Sequence, residues 1–218
     1  MLIDAVEWLG HAGFRIDAEG ATIYIDPYRV ENGPSADAIL VTHDHYDHFS
    51  PRDIEALSDS DTWLIGPPQV TERARGRVIS LAPGELLAEE VVRGVEIAAV
   101  AAYNTSKRGD EGELFHPRAA GGLGFELRIR GERLYHAGDT DVIPEMDAVA
   151  GVDVALLPVS GTYVMTAGEA SEAARRIHPG VAVPMHWGDH IGTYEDALGF
   201  EASTPGEVRI MEKVGANV

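Results

Sequence analysis

Hydrophobic and polar positions change their spacing repeatedly along this chain, and the changes outline strands with helices between them. Residues 5–17 and 21–26 read as two strands joined by a turn at Glu19-Gly20. The second carries Ile23 and Ile25 in alternation with Thr22 and Tyr24, the period-two spacing of a half-buried strand. Ala38-Ile39-Leu40-Val41 is a continuous apolar run, as expected of a strand covered on both faces. Ser50-Pro51-Arg52-Asp53 then reads as a helix start, with Ser as the cap and Pro in the first helical position. Further strands are expected at Trp63 to Ile65, Val78-Ile79, Val91-Val92 and Val95 to Ala102, the last two pairing across Arg93-Gly94.

The stretch from Asn104 to Gly122 lacks periodicity, and loops of that length in a compact domain are usually functional, so it is expected to overhang a site. Phe125 to Arg130 and Arg133 to His136 follow as a hairpin about Gly131-Glu132. Its Phe125, Leu127 and Ile129 point inward, and Glu126, Arg128 and Arg130 outward. Strands at Val152 to Leu157 and Val181 to Met185 flank a helix that opens with the capping-box pattern Thr166-Ala167-Gly168-Glu169 and ends near His178-Pro179-Gly180. Helices after Ser50, Pro144, Thr166 and Thr193, set among so many strands, imply an α/β fold with helices on the outer faces of its sheets. A chain of 218 residues buries one sizeable core, so residues 1–218 are expected to form a single domain.

Charge narrows the range of partners. Seventeen basic against 36 acidic residues give a formal charge of -19, which repels phosphate backbones and anionic lipid and argues against nucleic acid as a partner. Only Lys107 and Lys213 are lysines, a bias that fits either a salt-rich cytoplasm or a GC-rich genome. No cysteine occurs, which excludes disulfides, thiolate ligands and a Cys nucleophile, so any transition metal must use His, Asp, Glu or Asn. No apolar run reaches membrane-spanning length, and a cytoplasmic location is the default expectation.

The chemistry concentrates at Thr42-His43-Asp44-His45-Tyr46-Asp47-His48, placed at the end of the buried run 38–41. In an extended segment His43 and His45 point to the same side and can meet one cation, while the following turn can aim Asp47 and His48 at a second. A solvated polar loop gains nothing from three imidazoles in that position. Asp139, in Gly138-Asp139-Thr140-Asp141, sits in a turn after a strand, where a carboxylate can lie between two cations and offset their repulsion. His186 likewise follows an apolar strand.

The run His43-x-His45-x-Asp47-His48 resembles the signature of the metallo-β-lactamase superfamily. Trp8-Leu9-Gly10-His11-Ala12-Gly13-Phe14, Ile25-Asp26-Pro27, Tyr135 to Asp141 and Val183-Pro184-Met185-His186 extend that resemblance over nearly the whole chain. They point to the branch that contains L-ascorbate-6-phosphate lactonase. The resemblance implies a four-layer αββα sandwich. It also implies a metal-dependent hydrolase in which one or two divalent ions activate water, zinc first, with manganese, nickel or iron as alternatives. Carried over by position, His43 and His45 bind the first ion, Asp47, His48 and His186 the second, and Asp139 bridges them. His11 is expected near the metals, as a ligand or as a hydrogen-bond donor to a metal-bound carboxylate. His136, His178 and His190 are expected to be mainly structural, with His190 able to approach the rim of the site.

One position departs from the superfamily pattern. The strand ending Ala101-Ala102-Tyr103-Asn104 commonly supplies a third histidine to the first ion, and Asn104 stands in its place. Either His116 folds in from the loop, or the first site is weak and one tightly held ion suffices. Asp141 and Asp47 are candidates for proton relay, and Tyr163, in Ser160-Gly161-Thr162-Tyr163, for donating to an oxyanion. The expected substrate is a small, anionic phosphodiester or lactone, drawn by Lys107 and Arg108 if the loop closes, and the chain can form a homo-oligomer. Two rival readings are a metal-binding sensor without turnover, favoured by the altered third ligand, and an iron-dependent redox protein.

Overall fold

The computed structural model describes residues 1–188 and 191–214, so His190 lies outside the described residues. Two mixed sheets pack face to face with helices outside them, the four-layer αββα arrangement. The first sheet has six strands in sequential order: β1 (Val6–Gly10), β2 (Gly13–Ala18), β3 (Ala21–Ile25), β4 (Ala38–Leu40), β5 (Trp63–Gly66) and β6 (Arg77–Ser80). The second runs back through the rest of the chain, from β7 (Leu86–Leu87), β8 (Glu96–Ala101), β9 (Leu123–Ile129) and β10 (Glu132–His136) to β11 (Val154–Pro158), β12 (Val181–Met185) and β13 (Glu207–Val208). Helices α1 (Pro51–Leu57) and α2 (Pro68–Thr71) belong to the first half, and α3 (Ala167–Ile177) and α4 (Tyr194–Ser203) to the second. Among the described residues, no helix is long and apolar enough to cross a membrane.

The capping signals form as expected. Ser50 accepts from the Asp53 amide, and Thr166 and Glu169 close a reciprocal capping box. His178 ends α3 in the left-handed conformation. The segment after Pro144 is a 3-10 helix, Pro144–Val149, where an α-helix had been expected.

Three expectations are corrected. Residues 5–17 form two strands, because Gly10 and His11 both take positive φ (99° and 54°) and fold the segment into a hairpin. Val91-Val92 is a turn, and β8 pairs instead with Leu86-Leu87, to which Ala98 and Ile97 stand opposite. Glu126 does not face water: it is 3% exposed and is held by Arg128 (3.0 Å) and Arg133. The short β7, β13 and α2 carry too few residues to show a period, which is why pattern alone does not reveal them.

The Glu126 cluster makes a stability prediction. Burial opposes ionisation, but the Arg128 and Arg133 guanidinium groups hold the Glu126 carboxyl below its ordinary value. A carboxyl depressed in the folded state stabilises the fold above its unfolded pKa and loses that contribution as pH falls through the folded value. Glu126→Gln is therefore expected to cost about 1–2 kcal/mol at pH 7. The deficit should close below about pH 4. Urea melts of both proteins across pH test this, and a deficit independent of pH would contradict it.

Candidate metal centre

Loops at one edge of the sandwich deliver every ionisable residue of the site. The β1–β2 hairpin carries His11, the segment after β4 carries residues 42–48, and the loop after β8 carries His116. The turn after β10 brings Asp139, and the end of β12 brings His186. His11, Asp26 and His186 all have positive φ (54°, 45° and 59°), a backbone conformation that costs free energy in residues with a Cβ and clusters at functional sites. The first and last are tied together by the His186 amide, which donates to the His11 carbonyl at 2.9 Å. The Trp8 indole donates to the same oxygen, and Trp8 packs on Trp187 at 4.5 Å between ring centroids. Before Asp139, Gly138 is required, since a Cβ there would lie 2.5 Å from the Leu123 carbonyl oxygen.

Three overlapping sets of donor atoms result among the described residues. His11, Asp47, His48 and His186 form one, fully buried, His43, His45 and His116 form another, nearer solvent, and His43, His48 and Asp139 form a third that links them. Asp139 stands between them, with His186 Nε2 at 3.2 Å and His48 and His116 Nε2 each at 3.4 Å from its carboxylate. His11 Nε2 meets Asp47 Oδ2 at 3.1 Å. Of the residues proposed from sequence, His11 lies beside Asp47, His48 and His186, and His116 lies beside His43 and His45.

The far side of the rings fixes their protons. Thr42 donates its one hydroxyl proton to Asp26 Oδ2 at 2.6 Å, so its oxygen accepts from His43 Nδ1 at 3.0 Å. Asn104 Oδ1 can only accept, so His116 Nδ1, 2.9 Å away, carries the proton. His48 Nδ1 lies 2.7 Å from Asp26 Oδ2, and His186 Nδ1 lies 2.9 Å from Ser160 Oγ. For His43 and His116 the Nε2 lone pair is left facing the centre. His43 Nε2 is buried without a hydrogen-bond partner, and His48 Nε2 and Asp139 Oδ1 make no hydrogen bond and face one another only as an ion pair at 3.4 Å, an arrangement that is costly unless a ligand meets it. Convergent, unpartnered imidazole nitrogens around a carboxylate are the donor set of a divalent transition metal, so these residues fit such ions.

Electrostatics set His48 apart from His43, His11 and His116. Burial, with His48 nearby, drives His43 well below its ordinary value, and burial lowers His11 and His116, so these rings are neutral as ligands must be. His48 is opposed by burial but raised well above its ordinary value by Asp139 and Asp26. Burial would raise Asp139, yet His186 and His48 hold it well below the carboxylate range, and Asp47 is brought to about 2 chiefly by His11, against burial. Both carboxylates are ionised.

Asn104 is a support for His116: its oxygen takes the His116 amide and ring proton, and its amide nitrogen donates to Asp141 Oδ1 and to the Tyr163 carbonyl. Asp141 lies outside the donor sets. Its Oδ2 accepts from the amides and hydroxyls of Thr105 and Ser106 at 2.7–3.1 Å, which pins the start of the loop and leaves the carboxylate committed to positioning. Tyr163 lines the cleft over the centre. Lys107 turns to Glu169 and Arg108 to the Gly112 carbonyl, so the anion-binding role expected of them is not built. His136 is structural, with Nε2 on the Ala12 carbonyl and Nδ1 on the Gly138 amide.

Sequence reasoning gave no role to Asp26, and it offered the Ser160-Gly161-Thr162-Tyr163 segment as an oxyanion donor, whereas Ser160 Oγ lies against His186 Nδ1. A signal for Asp26 existed: β3 pairs with β4, which sets an acid at the end of one buried strand beside Thr42 after the next.

The chain is similar to known proteins along most of its length. A family model described as a beta-lactamase superfamily domain matches residues 5–186. A UPF0173 metal-dependent hydrolase of Methanopyrus kandleri is 30% identical over 227 residues, covering 98% of this chain and 94% of its own. Another, from Symbiobacterium thermophilum, is 33% identical over 221 residues, 90% of each chain. A crystal structure from Parabacteroides distasonis, assigned as a metal-dependent hydrolase, superposes with TM-score 0.83 at 32% identity, covering 95% of this chain and 92% of its own. The metallo hydrolase Igni18 of Ignicoccus hospitalis, 24% identical with TM-score 0.77, covers 95% and 94% and shows the shared fold.

The proton assignments are directly testable. Long-range 1H–15N correlation spectra of metal-free protein should show His43 and His116 protonated on Nδ1 and His136 on Nε2. The opposite tautomer at His43 or His116 would contradict the tethering described above.

Proposed function

The chain belongs to the beta-lactamase superfamily, and from that membership and the geometry of its centre we propose a metal-dependent hydrolase that holds two divalent ions. His11, Asp47, His48 and His186 would hold the deeper ion, and His43, His45 and His116 the shallower one, with the Asp139 carboxylate next to both sets. The observation that carries this reading is the set of buried, unpartnered Nε2 and Oδ1 atoms that converge while the opposite ring nitrogens are tethered. Bound there, zinc, or manganese, nickel or iron, would supply Lewis acidity and lower the pKa of a coordinated water to about 7.

The protein's own part is orientation and proton handling. Asp26, Thr42, Asn104 and Ser160 keep the lone pairs aimed and the rings from turning. Asp47 Oδ2, already paired with His11 Nε2, is placed to take and pass on a proton, and the Tyr163 hydroxyl at the cleft is placed to donate to an oxyanion. Asp141 acts through the loop that carries His116. The reaction proposed is hydrolysis of a small phosphodiester or lactone. The sensor reading rested on a missing third ligand, and His116 beside His45, Nε2 to Nδ1 at 3.2 Å, removes its support.

Chelation should abolish hydrolysis of nitrophenyl phosphodiesters and simple lactones, and readdition of the ion should restore it. His116→Ala is expected to keep one ion per chain and to lose more than about 100-fold in rate, since loss of a ligand should exceed the 10–100-fold typical of outer contacts. His48→Ala should release the deeper ion. Metal counting with rate measurement checks each. Chelated protein at full rate, or His116→Ala with two ions and normal turnover, would overturn the assignment.

A further inference from the structure

The cleft above the centre encloses about 250 Å³, and its floor is the metal-binding set itself. Its walls are Tyr46, Phe115, Tyr163 and Ile191. Phe115 and Tyr163 meet edge to face, with centroids 4.7 Å apart and planes at 89°, so each presents a flat or edge-on aromatic surface in a fixed direction.

Among the described residues no lysine or arginine lines this cleft. The basic side chains of the surrounding segments are directed elsewhere: Arg29 lies over the Tyr28 ring, 5.0 Å from its centroid, outside the cleft lining. Lys107 is bound by Glu169, Arg73 by Asp44, Arg118 by Glu145, and Arg108 by a main-chain carbonyl. Beyond the centre there is therefore no partner for an anionic substituent, and no carboxylate wall for a cationic one. A charged group placed against these walls would find no opposite charge in them, whereas an apolar ring would gain contact with four apolar or aromatic side chains. The volume lies just under the range of about 300–1,000 Å³ typical of drug-sized ligands, which suits one ring or two fused rings.

We propose that Phe115 and Tyr163, with Tyr46 and Ile191, form a specificity pocket for an uncharged aromatic or compact apolar substituent next to the bond that is cleaved. The inference rests on the hydrolase reading of the same site and adds the chemistry of the non-reacting part of the substrate. The pocket is built into the metal support. Phe115 directly precedes His116, and Asn104 holds both the His116 amide and the Tyr163 carbonyl, so one side chain fixes the ligand and the apolar wall in register. Either a carboxylic ester or a phosphodiester could carry such a group.

The test uses zinc-loaded protein and acetanilide, an unreactive neutral analogue of an aryl ester, measured by calorimetry against its 4-sulfonate and against N-methylacetamide. Acetanilide is expected to bind at least about tenfold more tightly than either. Phe115→Ala should weaken it by roughly tenfold and Phe115→Leu should recover part of the loss, both with zinc content unaltered. Equal or tighter binding of the sulfonate, no binding of acetanilide, or indifference to Phe115→Ala at full zinc content would overturn the pocket. Rates on phenyl acetate and methyl phenyl phosphate are run in parallel to separate the two reacting groups. Hydrolysis of methyl acetate or dimethyl phosphate by the same samples reports on the hydrolase reading alone, so failure of the pocket and failure of the hydrolase are distinguishable.

Discussion

Six imidazoles and two carboxylates converge on a volume where neighbouring rings approach to 4.1 Å between centroids, and that convergence constrains the rest of the molecule. Packed so closely, the rings would turn to satisfy one another unless the opposite nitrogen of each were anchored. Asp26 supplies the deepest anchor. Wholly buried, it accepts from the Thr42 amide and hydroxyl while facing His48 Nδ1, and the Thr42 hydroxyl thereby becomes an acceptor for His43. One carboxylate at a strand end thus orients two rings in the most buried part of the site. Such outer contacts commonly govern metal affinity nearly as strongly as the ligands do.

The sandwich makes this possible by ending many strands at one edge. Sheet pairing brings β3 beside β4, and so Asp26 beside Thr42, while the parallel set β10, β11 and β12 delivers Asp139, Ser160 and His186 from consecutive strand ends. The positive φ angles at His11, Asp26 and His186 are local costs borne by a well-packed core, which is the usual location of such strain. The loop after β8 differs in kind. It has little apolar packing of its own and is held by polar contacts, four to Asp141 and three to the Asn104 side chain's own partners around His116 and Tyr163.

Much of this was legible in the chain. The apolar run before His43, the capping signals at Ser50 and Thr166 and the clustering of His43, His45, Asp47 and His48 each state a local rule that the fold obeys. What stayed hidden depends on long-range pairing. Residues 5–17 alternate like one strand, and the break comes at Gly10 and His11, whose positive φ angles turn the chain and set His11 at the tip. Glu126 alternates as an outward residue and is buried because Arg128 and Arg133 cover it. Asn104 stands at a ligand's position in the pattern, and its actual role, accepting the His116 ring proton, follows from a contact across a loop that no periodicity describes.

The central claim is that two cations share Asp139, one among His11, Asp47, His48 and His186 and the other among His43, His45 and His116. Anomalous-scattering crystallography of zinc-loaded protein tests it most directly. The account predicts two zinc peaks, one within each set of side chains, with the Asn104 side-chain oxygen bonded only to His116. A single peak, or zinc coordinated by the Asn104 oxygen with His116 turned away, would contradict it.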